Sequence, residues 1–140
     1  MKIFFAGPLT NLENPDKVKA FYIKLAELAK KLGHEPFWAF QSGTDPIKNP
    51  NVPAEEVYRR DIEQIAKSDL MIAYVGESSI GTGEEIEYAK TVKVQVIIMY
   101  EKGDTISRML KGNPAVKKEI VFTSEDDAIK QLQAYLISLH

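Results

Sequence analysis

Cysteine is absent from the 140 residues, and histidine occurs only at His34 and His140. The first absence excludes a disulfide framework, a thiolate metal site and a cysteine nucleophile. The second leaves too little imidazole for a histidine-built metal centre or a Ser–His–Asp triad, so neither a metal nor a cofactor is expected. There is no basic excess either: 18 Lys and Arg stand against 20 Asp and Glu, a net charge of −2. A polymeric nucleic acid is therefore not an expected partner, although a single phosphate needs no large basic field. No apolar run approaches the ~20 residues needed to cross a bilayer. The opening run Lys2–Ala6 is too short for a signal peptide, and a cytosolic protein without membrane contact is expected. What is present is an ordinary globular balance, 44% hydrophobic and 27% charged, at a length that fits one domain over residues 1–140.

Strand and helix patterns alternate along the chain. Ile3-Phe4-Phe5-Ala6 is a continuous apolar run closed by Gly7-Pro8, as in a buried central strand and its exit turn. Asn14-Pro15 reads as a helix cap followed by proline at the first helical position. Phe21, Leu25, Leu28 and Leu32 then follow at helical spacing up to the stop at Gly33. A second strand is expected over Glu35 to Phe40, a loop over Gln41 to Pro53, a helix over Ala54 to Lys67 and a third strand over Leu70 to Val75. Beyond these come a loop from Gly76 to Gly83, a helix from Glu84 to Lys90, a strand from Val94 to Tyr100 and a short helix near Ile106 to Leu110. A last strand over Ile120 to Phe122 precedes a terminal helix capped by Ser124, with Asp127 three residues on. The pattern predicts an α/β fold: one doubly wound domain with a five-stranded parallel sheet and helices on both faces. Ligands in such folds sit at the carboxyl ends of the strands, near the switch in strand order.

Ser78-Ser79-Ile80-Gly81-Thr82-Gly83-Glu84-Glu85 is the strongest local signal. Its glycines let a backbone approach a ligand, and hydroxyls with free amides at a helix start can receive an anion. The plainer alternative is a connecting loop whose serine and threonine act as caps. Neither the dinucleotide fingerprint nor a P-loop is present. In the helix that follows, Ile86, Ala89 and Val92 define an apolar face with Glu85 on its edge, while Glu84 and Glu87 point away as solvated first-turn acids. Glu85 is thus placed half-buried beside the strand ends, where desolvation can tune it. In the preceding helix Asp61 projects within the apolar arc of Val57, Tyr58, Ile62 and Ile65. A carboxylate there is costly unless paired or used. It either pairs with Arg59, Arg60 or a distant lysine, or it converges with Glu85 on one pocket as glycosyl chemistry requires.

Several segments in matching order, from Glu55 onward, resemble the 2′-deoxynucleoside 5′-phosphate N-hydrolases, relatives of the nucleoside 2-deoxyribosyltransferases. They are Tyr58-Arg59-Arg60-Asp61, the strand Asp69 to Val75, the run Ser79 to Ile86, and Ser107-Arg108-Met109-Leu110-Lys111-Gly112; the first strand with Gly7 also fits. The resemblance implies that Glu85 attacks the anomeric carbon and forms a glycosyl-enzyme, and that Asp61 protonates the leaving base. It implies further that Ser79, with the amides around Gly81 and Gly83, holds a 5′-phosphate. Gly7, Pro8 and Leu9 then contact the substrate, and Ser107 reaches the phosphate of a neighbouring subunit in a homodimer. Ser79 stands where the transferases commonly carry aspartate, and a hydroxyl can donate to a phosphate that a carboxylate would repel. Where the hydrolases usually have tyrosine this chain has Phe4, and Pro8-Leu9-Thr10 is closer to the transferase pattern. Phe37-Trp38-Ala39-Phe40 also replaces a more polar segment, with Trp38 and Phe40 read as core or as a stacking surface for a base. The alternative functions are base exchange by a deoxyribosyltransferase and nucleotide binding without turnover.

Overall fold

The computed structural model describes residues 1–139; His140 lies outside the described residues. Five strands, β1 (Lys2–Ala6), β2 (Glu35–Trp38), β3 (Leu70–Tyr74), β4 (Gln95–Glu101) and β5 (Val116–Phe122), pair in parallel in the order β2-β1-β3-β4-β5. The helices are α1 (Pro15–Lys31), α2 (Ala54–Ala66), α3 (Ile80–Thr91), the single turn α4 (Arg108–Lys111) and α5 (Glu125–Ser138). This is the doubly wound α/β fold that the alternation predicts.

The strands are apolar throughout because both faces are covered. Ile3, Phe5, Ile72, Ile97 and Met99 pack in one core with residues of α1 and α5. Their neighbours Phe4, Met71, Ala73 and Ile98 form a second core with Ile65 of α2 and Ile86 and Ala89 of α3. A period of two that is apolar on both phases reads as a continuous run. Trp38 and Phe40 belong to the first core, 2% and 9% exposed. Trp38 stacks on Tyr22 with ring centroids 4.2 Å apart, so neither aromatic is a surface for a base.

The caps at α1 and α5 fall where expected. The Asn14 side chain accepts from the Lys17 amide ahead of Pro15, and Ser124 accepts from the Asp127 amide. Gly33, at φ +86°, takes the left-handed turn after α1. Four boundaries differ. β2 ends at Trp38, and Ala39–Gln41 form a 3₁₀ turn. β5 begins at Val116, because Lys117, Lys118 and Glu119 lie on an exposed edge strand where charge hides the pattern. α4 starts at Arg108, with the Ser107 hydroxyl oxygen accepting from the Met109 amide. α3 begins at Ile80 instead of Glu84, so Gly81, Thr82 and Gly83 are helical.

After β1 the chain moves to β2 on one side, and then returns to β3 on the other. The loops leaving β1 and β3 therefore diverge and open a crevice at the carboxyl ends of the strands.

Candidate active site

That crevice is a cleft of about 1120 Å³, ample for a nucleotide-sized ligand. Its walls come from the turn after β1, the loop 42–53, α2, and the first turns of α3. Gly7, Leu9, Asp61, Ser79, Gly81 and Glu85 all line it. Pro8, Gly83 and Ser107 are not among its lining residues.

Two carboxyls dominate the cleft. Asp61 is half-buried, and its Oδ1 is enclosed, with no hydrogen-bond partner among the described residues. Burial pushes its pKa up to about 6. Glu85 is also half-buried by exposure of the whole residue. Its carboxyl is held well above the usual carboxylate range, first by burial and then by the negative charges of Asp61 and Glu84. The negative charge of Asp61 thus acts on Glu85 through space. The arginines beside Asp61 are engaged elsewhere: Arg59 pairs with Glu63 at 3.0 Å, and Arg60 with Glu56 at 2.7 Å. Among the described residues no ion pair reaches Asp61, which removes the plain explanation for a carboxylate at that position.

The α2 stripe itself needs correction. Only Ile65 of this helix is buried, Tyr58 is 60% exposed, and Val57, Tyr58 and Ile62 line the cleft beside Asp61. The stripe is a cleft wall, not part of the core.

The start of α3 combines both readings of the serine- and glycine-rich segment. Ser79 is the N-cap, its Oγ accepting from the Thr82 amide at 3.2 Å. A hydroxyl that accepts keeps its proton to donate. The Gly83 amide is spent on the Ser79 carbonyl at 3.1 Å, which excludes it as a phosphate donor. The early start also moves Glu84 and Glu87 out of the first turn, which carries no acid. α1, α2 and α5 each carry acids there. The positive end of the α3 dipole and the unbonded amides of Ile80 and Gly81 therefore lie at the cleft with no acid in the helix's own first turn. A Cβ built on Gly81 would meet nothing within 4 Å, so the space beside this backbone is open.

Thr82 is a residue that sequence reasoning passed over as a loop hydroxyl. It is 4% exposed and lines the cleft, and among the described residues its Oγ1 has no hydrogen-bond partner. Its signal was its spacing: Thr82, Ile86 and Ala89 share the buried face once the helix starts at Ile80. Gly7 is demanded by packing, since a Cβ there would come within 2.6 Å of the Tyr22 hydroxyl oxygen. That hydroxyl donates to the Pro8 carbonyl at 3.0 Å, so Pro8 fixes the turn from behind. Ser107 serves as the cap of α4, and His34 is buried outside the cleft lining. Among the described residues no lining side chain is cationic, and no acid or histidine cluster could hold a metal.

A switch-point cleft holding two coupled, desolvated carboxyls, on a doubly wound sheet, is the equipment of a glycosidase-type enzyme. No family model matches the chain. A protein of Thermofilum pendens provisionally named 2′-deoxynucleoside 5′-phosphate N-hydrolase 1 is 31% identical over 139 residues, covering 97% of this chain and 95% of its own. The chain belongs to that N-hydrolase family. Among solved structures, the Clostridium botulinum CMP N-glycosidase matches with a TM-score of 0.75 at 20% identity, covering 96% of this chain and 99% of its own. A 2-deoxyribosyltransferase from Bacillus psychrosaccharolyticus matches with a TM-score of 0.67 at 20% identity, covering 94% and 96%. These two likenesses are of fold.

Proposed function

We propose that the protein hydrolyses the N-glycosidic bond of 2′-deoxynucleoside 5′-monophosphates, releasing the base and deoxyribose 5-phosphate. The observation that carries this reading is the coupled pair Asp61 and Glu85 in one cleft, beside the acid-free start of α3. The phosphate docks at that start, on the Ser79 hydroxyl and the Gly81 amide. With no cation among the described lining residues, neutral donors and the helix dipole do this work. Phosphate binding remote from the reacting carbon fixes the sugar against Glu85, so its binding energy lowers the barrier to attack.

Glu85 lies about 4.5 Å further along the helix axis than Thr82, at three residues of 1.5 Å rise, toward the sugar. Its carboxylate oxygen bonds to C1′ as the bond from C1′ to the base nitrogen breaks, and the Asp61 proton passes to the leaving base. Water then adds to C1′, loses a proton to Asp61 and frees Glu85. The chemistry needs one proton shared between the two acids, with Glu85 ionised when it attacks. Burial by the protein itself favours the neutral form of Glu85 more strongly. Substrate must reverse that order: a sugar gaining positive charge at C1′ favours the Glu85 anion, and a base packed on Asp61 desolvates its carboxyl further.

The protein is further proposed to be cytosolic and to work as a homodimer in which Ser107 serves the neighbouring cleft. Among the described residues no helix is long and apolar enough to cross a membrane. Ser107 is absent from the lining of its own chain's cleft. The Pro8-Leu9-Thr10 turn keeps base exchange as a second reading.

Chromatography of nucleoside monophosphates, scored for released base, tests the proposal, with a second free base added to reveal exchange. Glu85→Gln is expected to lose at least a thousandfold in kcat while binding nucleotide within a few fold of the parent. Turnover comparable to the parent would remove Glu85 as nucleophile.

A further inference from the structure

The loop 42–53 is a wall of the cleft to which the reaction scheme gives no task. It is built around a buried carboxylate. Asp45 is 0% exposed; its Oδ1 accepts from the amides of Ile47 at 2.7 Å and Lys48 at 3.2 Å. Its Oδ2 accepts from Lys19 Nζ at 2.5 Å. Burial pushes the Asp45 pKa up, but Lys19 and the two amides outweigh it and hold the carboxyl below its ordinary value. Thr44 Oγ1 donates to the Ala39 carbonyl at 2.9 Å, tying the loop to the end of β2. Bonded this densely, the loop is a pre-formed wall.

Asn49 closes the knot. Its amide donates to the Asp45 carbonyl at 2.8 Å, and its Oδ1 accepts from the Asp45 amide at 3.1 Å. The second bond settles the orientation of the carboxamide, because a backbone N–H needs an acceptor and only the oxygen can serve. The Nδ2 group is then the end left over, and among the described residues it has no partner. Asn49 lines the cleft together with Pro46, Pro50 and Val52. This apolar wall runs straight into α2, which carries Asp61.

A base that takes its proton from Asp61 must lie beside α2, and so against this wall. We propose that Asn49 reads the exocyclic group of the base, presenting donors only, and so selects oxo-bearing bases over their amino counterparts. The inference rests on the proposed hydrolase reading and names its substrate class. An exocyclic oxygen accepts from Nδ2; an exocyclic amino group sets donor against donor and leaves both unpaired in a desolvated cleft. Sites built to satisfy one hydrogen-bonding pattern reject the other strongly.

The test compares substrates that differ in that group and in the protonation of the ring nitrogen beside it: dIMP against dAMP, and dUMP against dCMP. The wild-type protein is expected to favour the oxo member of each pair tenfold or more in kcat/KM. Asn49→Asp keeps an oxygen for the Asp45 amide but turns the free end into an acceptor, so the preference should reverse toward dAMP and dCMP. Asn49→Ala should bring both ratios close to one. Wild-type ratios within twofold of one would overturn the proposal, as would ratios that survive either substitution. Should none of the four nucleotides be hydrolysed, the hydrolase reading itself fails. Calorimetric affinities of the same four nucleotides for the wild-type and Asn49→Asp proteins then decide the base reading separately, by the same ratios.

Discussion

Ionising Asp61 works against the fold, because the carboxyl is partly desolvated. Its pKa rises from 3.8 to about 6, so the folded state binds a proton more tightly than the unfolded chain. The stability gained from that protonation is complete below about pH 4 and is lost as pH rises through 6. Asn in its place stays neutral throughout. Asp61→Asn is therefore expected to match the parent near pH 4 and to exceed it at pH 7. A shift of this size corresponds to about 3 kcal/mol for a fully enclosed group; solvent reaches part of this carboxyl, and about 1 kcal/mol is the expected gain. Urea denaturation at pH 4, 6 and 8 measures it, and a parent more stable than the variant at pH 8 would show that Asp61 has a hidden partner. The same substitution should slow turnover, since Asn has no proton to give. At this scale Asp61 and Glu85 were legible because an acid on an apolar arc is conspicuous in any sequence. Thr82 and Asn49 were not, because a threonine between glycines and an asparagine between prolines look like ordinary cap and turn residues. Only the enclosure of one hydroxyl and the pinning of one amide distinguish them.

At the scale of the element, α3 decides the site, and its start was misread for a physical reason. Each glycine within a helix costs about 1 kcal/mol relative to alanine, so Gly81 and Gly83 read as loop. Ser79 offsets part of that cost as N-cap, a contribution of about 1 kcal/mol. The two glycines stand in different places. Gly83 has its amide bonded within the helix, does not line the cleft and has open space for a methyl group. Gly83→Ala should stabilise the protein by about 0.5–1 kcal/mol with kcat/KM unchanged. Gly81 has the same open space but on the cleft wall, where the phosphate is proposed to lie. Gly81→Ala should stabilise similarly yet raise KM for nucleotides at least tenfold. Equal kinetic effects at the two positions would show that α3 does not hold the phosphate. Elsewhere the apolar strands and capped helices were legible as drawn, and the exposed edge strand β5 was blurred by its charged residues.

At the scale of the whole molecule, alternation in the sequence was enough to anticipate a parallel sheet and a cleft at its switch point. It could not give the arrangement of a second copy, because nothing in one chain's pattern shows which surface is shared. Ser107 makes that question testable. It caps α4 and stands outside its own chain's cleft lining, so a role in catalysis requires another subunit's cleft. In an isologous dimer each site would combine Glu85 of one protomer with Ser107 of the other. Glu85→Gln and Ser107→Ala proteins are each expected to be weak alone, for different reasons. In a mixed dimer one site carries both lesions, while the other joins an intact Glu85 to an intact Ser107. Random reassortment makes half the dimers mixed, each with one intact site, so about a quarter of the wild-type site concentration should return on mixing. Activity should appear at the rate of subunit exchange and vanish on dilution below the dimer's dissociation constant. If mixing yields only the sum of the two separate activities, Ser107 acts within its own chain or only as the cap of α4.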